Sequence, residues 1–265
     1  MELGHALKQT VWIVIGLLFL PAAVQAQAFD TGRDPLTPTD KFSAETGYLA
    51  LPDGGRGFHF SLADASYLGP NRDLLIEFEL PVEHFRPDTA GLGAKTGLGD
   101  IGISFGHVIF GSQLSHLIAV GGVLNTATSD VLGKGRWAIV PTYGISWAPV
   151  DWFTQVVLAD WKRSLSEESG VTPLNRLVFR SRSIFRFSEG FYSSIEATPS
   201  VDFQRDGKRG LAVGGRMGIM LGALRNLGFF VQGGRPLDSY TRATDGGYSA
   251  AIGIEVVESR GAPGE

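Results

Sequence analysis

Several stretches of the chain alternate large apolar residues with small or polar ones at every second position. The clearest are 73–80, 101–106, 227–232 and 248–256. A pleated β-strand imposes this period of two, because successive side chains point to opposite faces. Clusters of Pro, Gly, Asn and Asp, which favour tight turns, separate the alternating stretches. The pattern predicts strands joined by turns, with no long helix.

About twelve strands are predicted: 42–50, 56–65, 72–84, 98–110, 114–124, 136–148, 152–162, 174–187, 190–204, 209–222, 226–235 and 247–257. Many are longer than the roughly five or six residues of ordinary strands. A tilted strand that crosses a bilayer needs about nine to eleven residues. We therefore predict an all-β fold, a transmembrane antiparallel up-and-down β-barrel, closed so that no strand edge meets lipid.

Aromatic residues near the ends of these strands support the same interpretation. Membrane barrels carry aromatic girdles where their wall crosses each membrane–water interface. The residues predicted to form two such girdles are Trp137, Trp147, Trp152, Trp161, Phe187, Phe191 and Tyr240. The alternative is that they are core aromatics of a soluble barrel.

The N-terminal segment has the layout of an export signal. Lys8 precedes an apolar run over 11–20, Pro21 ends the run, and small residues lead to Ala26. The run is about half as long as a spanning helix. We predict a cleaved signal peptide at 1–26, a lead-in at 27–41, the barrel at 42–257 and a disordered polar tail at 258–265. The predicted location is the outer membrane of a Gram-negative cell, exposed to lipid and lipopolysaccharide.

Composition narrows the possible functions. The chain has no Cys, which excludes disulfides and a lipid-anchored N-terminal Cys, and its net charge of −4 gives no electrostatic basis for binding nucleic acid. Many outer-membrane barrels end in an aromatic residue that the barrel assembly machinery recognises. This chain instead continues past Val257 into the polar tail. We still expect that machinery to be a partner, with an internal signal or less efficient insertion.

The predicted strand at 174–187 carries four arginines on one face: Arg176, Arg180, Arg182 and Arg186. An arginine on the lipid face of a barrel costs about 2–4 kcal/mol at the bilayer midplane, so these four are predicted to face the lumen. Other charged residues that fall on small or polar strand faces, and are also predicted to line the lumen, are Arg216, Glu77, Glu79, Glu196, Asp202 and Glu255.

Two interpretations of these charges compete. They could pair across neighbouring strands and fill a narrow lumen, which gives a sealed structural barrel. They could instead line a water-filled pore that favours anionic solutes. A specific binding site for one ligand is a third alternative.

Catalysis has little support in the sequence. His59, His84, His107 and His116 lie in no recognisable nucleophile motif, and there is no Gly-x-Ser-x-Gly. We predict no catalytic residues, no cofactor and no metal site. A lipid-modifying outer-membrane enzyme remains a distant alternative.

One group of motifs lies in the centre of the chain. Gly97 and Gly99 permit a tight bend at a strand start, and Asp100 can cap exposed amides of that turn. Together with the segments 122–130 and 132–137, they form a pattern whose key residues are Gly97, Gly99, Asp100, Thr126, Asp130, Gly133, Gly135 and Trp137.

This pattern resembles the putative meta-pathway phenol-degradation family of outer-membrane barrels, with Asn125 standing where the family usually has Pro. The resemblance covers most of the predicted mature chain in layout, but only the central motifs are distinctive. It implies passage of small, aromatic or hydrophobic compounds across the outer membrane. The motif residues themselves are predicted to be structural.

From the sequence we predict an outer-membrane channel or transporter for small solutes, anionic or aromatic and hydrophobic in class. The sealed barrel and the lipid-modifying enzyme are the alternatives.

Overall fold

The computed structural model describes residues 39–50, 55–86, 93–130, 132–187, 190–221, 226–245 and 247–258. The predicted signal peptide, nearly all of the lead-in and all but the first residue of the polar tail lie outside these ranges. No helix in the described part of the chain is long and apolar enough to cross a membrane.

Most of the described chain lies in thirteen strand segments. Their bounds are β1 Asp40–Ala50, β2 Arg56–Leu68, β3 Leu74–Arg86, β4 Lys95–Leu98, β5 Ile101–Ile109, β6 Leu114–Leu124, β7 Arg136–Val150, β8 Phe153–Glu167, β9 Asn175–Arg186, β10 Phe191–Asp202, β11 Lys208–Leu221, β12 Leu227–Pro236 and β13 Ser249–Glu258. A 3-10 turn spans Phe203–Arg205, and one short helix, α1, spans Ser239–Asp245.

The sheet closes into a barrel because the first and last strands pair with each other. All pairings are antiparallel, and each strand of the wall neighbours the next one along the chain. Thr46 of β1 lies opposite Ile252 of β13 on one side and opposite Phe60 of β2 on the other. The predicted antiparallel up-and-down barrel of about twelve strands is confirmed.

The short segment β4 is the one addition to the twelve-stranded wall. β3 pairs with β5 along its first half and with β4 near its end, so β4 continues the line of β5 after a break at Gly99 and Asp100. The amide of Gly99 donates to the carbonyl of Pro81 at 3.0 Å, which holds the break against β3. The strand predicted over 98–110 corresponds to β5, and β4 is a separate segment that was not predicted.

Large apolar side chains cover the outer face of the wall. Phe105, Ile118 and Ile252 are 50%, 58% and 59% exposed, although in a water-soluble protein such residues would be buried. Their neighbours in the chain point inward. This arrangement suits a wall that faces lipid.

The predicted aromatic girdles need one correction. Trp137 and Trp161 lie on the outer face at one end of the barrel, while Trp147 and Trp152 lie at the other, all 43% to 49% exposed. Phe187 and Phe191 join the second pair, with ring centroids 5.4 Å apart. Tyr240 belongs to neither girdle, because it lies in α1 and its hydroxyl bonds to an inward-facing carboxylate.

The two ends of the barrel differ in the length of their connections. Strand alternation places the connections from β3 to β4, from β8 to β9 and from β12 to β13, which are among the longer ones, at one end. The connections at the other end, such as 69–73, 110–113 and 151–152, are short. We call the second end the short-turn end.

Inward-facing side chains fill the lumen near the short-turn end. Every barrel strand except β1 and β7 contributes at least one large residue that is 6% exposed or less, and we call this set the floor layer: Tyr67, Leu75, Val108, Leu117, Val156, Leu158, Ile184, Tyr192, Met220, Phe230 and Val257. β7 contributes Gly144 and the buried Ser146 instead. Barrels of about eight strands are filled by ordinary side chains, whereas sixteen-stranded ones hold a water channel. A barrel of intermediate size is closed here by bulky residues gathered at one level.

Candidate functional site: the barrel lumen

The four arginines of β9 all face the lumen, on the face opposite Leu177 and Phe179. Two of them form ion pairs with neighbouring strands. Arg180 Nε lies 2.8 Å from Asp160 Oδ2 of β8. Arg182 donates from Nε to Glu196 Oε2 of β10 at 2.6 Å.

The other two arginines bind hydroxyl groups. Arg176 donates to Ser200 Oγ at 2.7 Å, and Arg186 donates to Thr154 Oγ1 at 2.6 Å. Each of these four arginines, which we call the arginine ladder, thus bridges β9 to the inner face of an adjacent strand. The contacts show that the charges pair across neighbouring strands, as one of the two interpretations expected.

A second polar network crosses the inner faces of six consecutive strands, from β10 round to β2, in one continuous chain. Its contacts are Tyr192 Oη to Glu255 Oε1 at 2.5 Å, Arg216 Nη1 to Glu255 Oε2 at 3.4 Å, Arg216 Nη2 to Gln232 Oε1 at 2.6 Å, Gln232 Nε2 to Glu45 Oε2 at 3.0 Å, and Glu45 Oε1 to His59 Nε2 at 3.2 Å. These residues belong to β10, β13, β11, β12, β1 and β2 in turn. Half of the barrel wall is linked from the inside.

Arg216 is the centre of this network. Its side chain is 7% exposed and that of its partner Glu255 is fully buried. The guanidinium also lies over the ring of Phe230, with Cζ 3.6 Å from the ring centroid. A buried carboxylate needs such a partner, because desolvation of an unpaired charge is costly.

Two cavities with charged side chains in their linings occupy the lumen. The first, of about 420 Å³, is lined by Arg182, Glu196, Arg216 and Thr241 among others. The second, of about 440 Å³, is lined by Glu77, Glu79, Arg180 and Arg182 among others. Arg182 lines both cavities, so the two adjoin at this residue.

Charges of opposite sign gather on opposite walls of the lumen. Glu77, Glu79 and Glu83 face inward from β3, and Glu45 faces inward from β1. The arginines of β9 lie nearly across the ring of strands from β3. An acidic wall that faces a basic one produces a field across the lumen.

Helix α1 and its flanking residues fold against the inner wall at the long-connection end. Thr241 is 2% exposed and lines the first cavity. Tyr240 donates its hydroxyl proton to Asp202 Oδ2 at 2.5 Å, so Asp202 anchors this segment and does not serve as an open lumen charge. Burial and the bond to Asp202 raise the pKa of Tyr240 to about 12.

Asp238 fixes the start of the same segment. Partial burial works to raise the pKa of its carboxyl, but hydrogen bonds from the amides of Thr241 and Leu211 outweigh it and hold the pKa below its usual range. The segment is thus tied to β10 through Tyr240 and to β11 through Asp238.

The central sequence motifs form a fastened loop outside the lumen. Asp100 accepts hydrogen bonds from the amides of Ala127 at 3.3 Å and Lys134 at 2.6 Å. It therefore caps amides of the 125–135 loop, whereas the sequence predicted that it would cap amides of its own turn. Thr126 Oγ1 accepts from the amide of Ile101 at 3.0 Å and ties the same loop to β5.

Glycines in the motifs serve close packing. A Cβ at Gly97 would overlap Thr128, and one at Gly133 would overlap Ala127 and Asp100. Gly135 has a φ of +60°, which disfavours a side chain there. Trp137 points outward and Asp130 lies exposed in the loop, so none of the motif residues reaches the lumen cavities.

Sequence reasoning missed several lumen residues. Asp160 is 2% exposed and is the partner of Arg180, but it lies in the mostly apolar run of β8. Glu45, His59, Gln232 and Tyr192 were also missed as site residues. Strand parity was the available signal for Tyr192, which lies on the same face of β10 as Glu196 and Asp202. No residue of β1, β2, β8 or β12 was predicted to face inward, so the other four had no such reference. Among the described residues, no group of three His, Asp or Glu side chains is placed to hold a metal ion.

Solved structures with the same architecture are outer-membrane proteins. The COG4313 outer membrane channel from Pseudomonas putida F1 is 12% identical, with a TM-score of 0.61 over 83% of this chain and 94% of that one. The NanC porin is 8% identical, with a TM-score of 0.60 over 81% of this chain and 98% of that one. The KdgM porin is 8% identical, with a TM-score of 0.53 over 83% and 99%. At these identities the likeness shows the fold alone.

No family model matches the chain, and no curated protein matches it. The resemblance to the phenol-degradation family therefore stays a prediction.

Proposed function

We propose that the chain is an outer-membrane channel for small solutes. The observation that carries the proposal is the contrast between the two faces of one wall. The outer face is apolar and bordered by two aromatic girdles, whereas the inner face encloses cavities of about 420 and 440 Å³ with charged side chains in their linings. In the second cavity, arginines of β9 face glutamates of β3. A closed barrel satisfies its backbone hydrogen bonds within the wall and can therefore cross lipid.

The names of the matched structures support the location and the role. They are an outer-membrane channel and two porins, and none of them is named as an enzyme. With this fold, the predicted export signal would deliver the chain to the outer membrane. The long-connection end would then face the cell exterior, as it does in membrane barrels generally.

The charged walls favour small solutes that carry charge or a strong dipole. Arg180 and Arg182 face the second cavity from one side, and Glu77 and Glu79 face it from the other. Anionic solutes are the class suggested by the arginine ladder. Aromatic or hydrophobic solutes are suggested only by the family resemblance.

A sealed barrel is the second candidate, and the floor layer is the observation that favours it. Its side chains leave almost no accessible surface at the short-turn end. A static barrel in this state would admit solutes into the cavities from one end without releasing them at the other.

Osmotic swelling of proteoliposomes tests the proposal. Vesicles that contain the refolded mature protein should swell in isotonic glycine or glutamate, slowly because of the floor layer, and should not swell in a large polysaccharide. Heat-modifiable electrophoretic mobility would establish that the barrel is folded. Swelling no faster than that of protein-free vesicles, from folded protein, would contradict the transport function.

A further inference from the structure

The floor layer is built from residues that close the lumen by contact with one another. Seven of its members, Tyr67, Leu75, Val108, Leu117, Val156, Leu158 and Ile184, form one continuous apolar cluster from β2 to β9. A second cluster, of Tyr192, Met220 and Val257, continues the layer on the other side of the barrel. Ile184 and Tyr192 have no accessible surface at all, although each points toward the barrel axis.

Two leucines of the floor layer are seated against glycines of neighbouring strands. A Cβ at Gly144 of β7 would overlap Leu158 and lie 3.3 Å from Cβ of Leu117. A Cβ at Gly106 of β5 would lie 2.9 Å from Cδ1 of Leu117. The missing side chains leave the room that these leucines occupy, and the wall itself is fixed by its backbone hydrogen bonds.

The second cavity meets the apolar cluster at this level. Glu77, Glu79, Arg180 and Arg182 line that cavity together with apolar residues, and Tyr67, Leu117 and Leu158 of the floor layer also belong to its lining. A narrow apolar constriction expels water, and without water an ion has no hydration to carry it through. Closure by apolar side chains therefore stops ions even where a small gap opens.

We propose that the floor layer is a hydrophobic gate of the channel, closed in this structure, and that Leu117 and Leu158 are its principal closing residues. The inference rests on the proposed transport function. Passage then requires these side chains to withdraw from the lumen, so the gate and not the charged cavities limits the rate.

Single-channel conductance in a planar bilayer tests the gate. The variant Leu117→Ser/Leu158→Ser shortens and polarises the two closing side chains. The matched control is Val123→Ser/Val140→Ser, which makes the same chemical change on the inner wall of β6 and β7 within the second cavity. Leu117→Ala serves as a milder variant where the double serine variant does not fold.

The expected result is a wild-type current that is near background or confined to brief openings, and a steady conductance on the order of tenfold higher in the leucine variant. The control should behave as the wild type. Equal currents in wild type and both leucine variants, or an increase in the valine control as large as in the leucine variant, would overturn the gate.

The same recordings separate this inference from the proposed function. A steady, open wild-type channel would refute the gate and leave transport standing. A wild type that never conducts and never admits solutes, beside a conducting leucine variant, would support the gate as a permanent seal and contradict transport.

Discussion

Removal of the Arg216 guanidinium should be the most destabilising single change in the lumen. Glu255 is fully buried, and its carboxylate has Arg216 as its cationic partner and Tyr192 as a hydroxyl donor. Loss of one member of a buried ion pair typically costs about 3–5 kcal/mol, because the remaining charge is left uncompensated. Tyr192 still donates at 2.5 Å, so we expect Arg216→Met to cost about 3 kcal/mol, at the lower end of that range.

Two companion variants make this prediction specific. Arg216→Met/Glu255→Gln removes the charge as well as its partner and should recover much of the loss, to within about 1–2 kcal/mol of the wild type. Arg182→Met acts on a pair whose side chains are 17% and 25% exposed, so it should cost about 1–2 kcal/mol.

The assay is equilibrium unfolding in urea of the barrel refolded into phospholipid vesicles, followed by tryptophan fluorescence. A cost below about 1 kcal/mol for Arg216→Met would refute the reasoning. A double variant no more stable than Arg216→Met would refute it as well, because the loss of stability would then come from packing and not from the unpaired Glu255 carboxylate.

Three further predictions concern other parts of the chain. Asp100→Ala should release the 125–135 loop at a cost of about 1–3 kcal/mol and expose it to protease, and unchanged cleavage would contradict the role of Asp100 as a cap. Gly144→Val should cost about 1–3 kcal/mol in urea unfolding because its side chain would overlap Leu158, whereas Gly93→Ala, which meets open space, should be neutral. The folded pKa of Tyr240 lies above its unfolded value of 10, so the stability that its hydrogen bond supplies is complete below pH 10 and is lost as the pH rises through about 12. This loss of stability should be absent in Tyr240→Phe. Identical alkaline unfolding of the wild type and Tyr240→Phe would contradict the prediction.

The fold was predictable because a lipid-facing barrel repeats one pattern in every strand. The face of each β9 arginine followed from alternation with Leu177 and Phe179, and the structure places all four as predicted. A bend at Gly97 and Gly99 was predicted, but the pairing of 95–98 with β3 as a separate segment was not, because those residues show no apolar alternation.

The partners of the charges could not be read from the sequence. Arg216 lies next to Gln232 and Glu255 only because of strand register, which is set by backbone pairing around the whole ring. The floor layer escaped notice for a similar reason. Leu117 and Leu158 point to the same side as polar residues of their strands, and only closure of the barrel shows that they meet Ile184 in the lumen.

The reversal potential across a bilayer under a salt gradient tests most directly whether the lumen charges line a solute path. In Arg180→Ala/Arg182→Ala, the carboxylates of Asp160 and Glu196 lose their partners, so the potential should shift toward cation preference. In Asp160→Asn/Glu196→Gln it should shift toward anion preference by the same reasoning. Opposite shifts from folded protein are the predicted result. A reversal potential that is the same in all three proteins would contradict the account, because the permeant ions would not be passing these side chains.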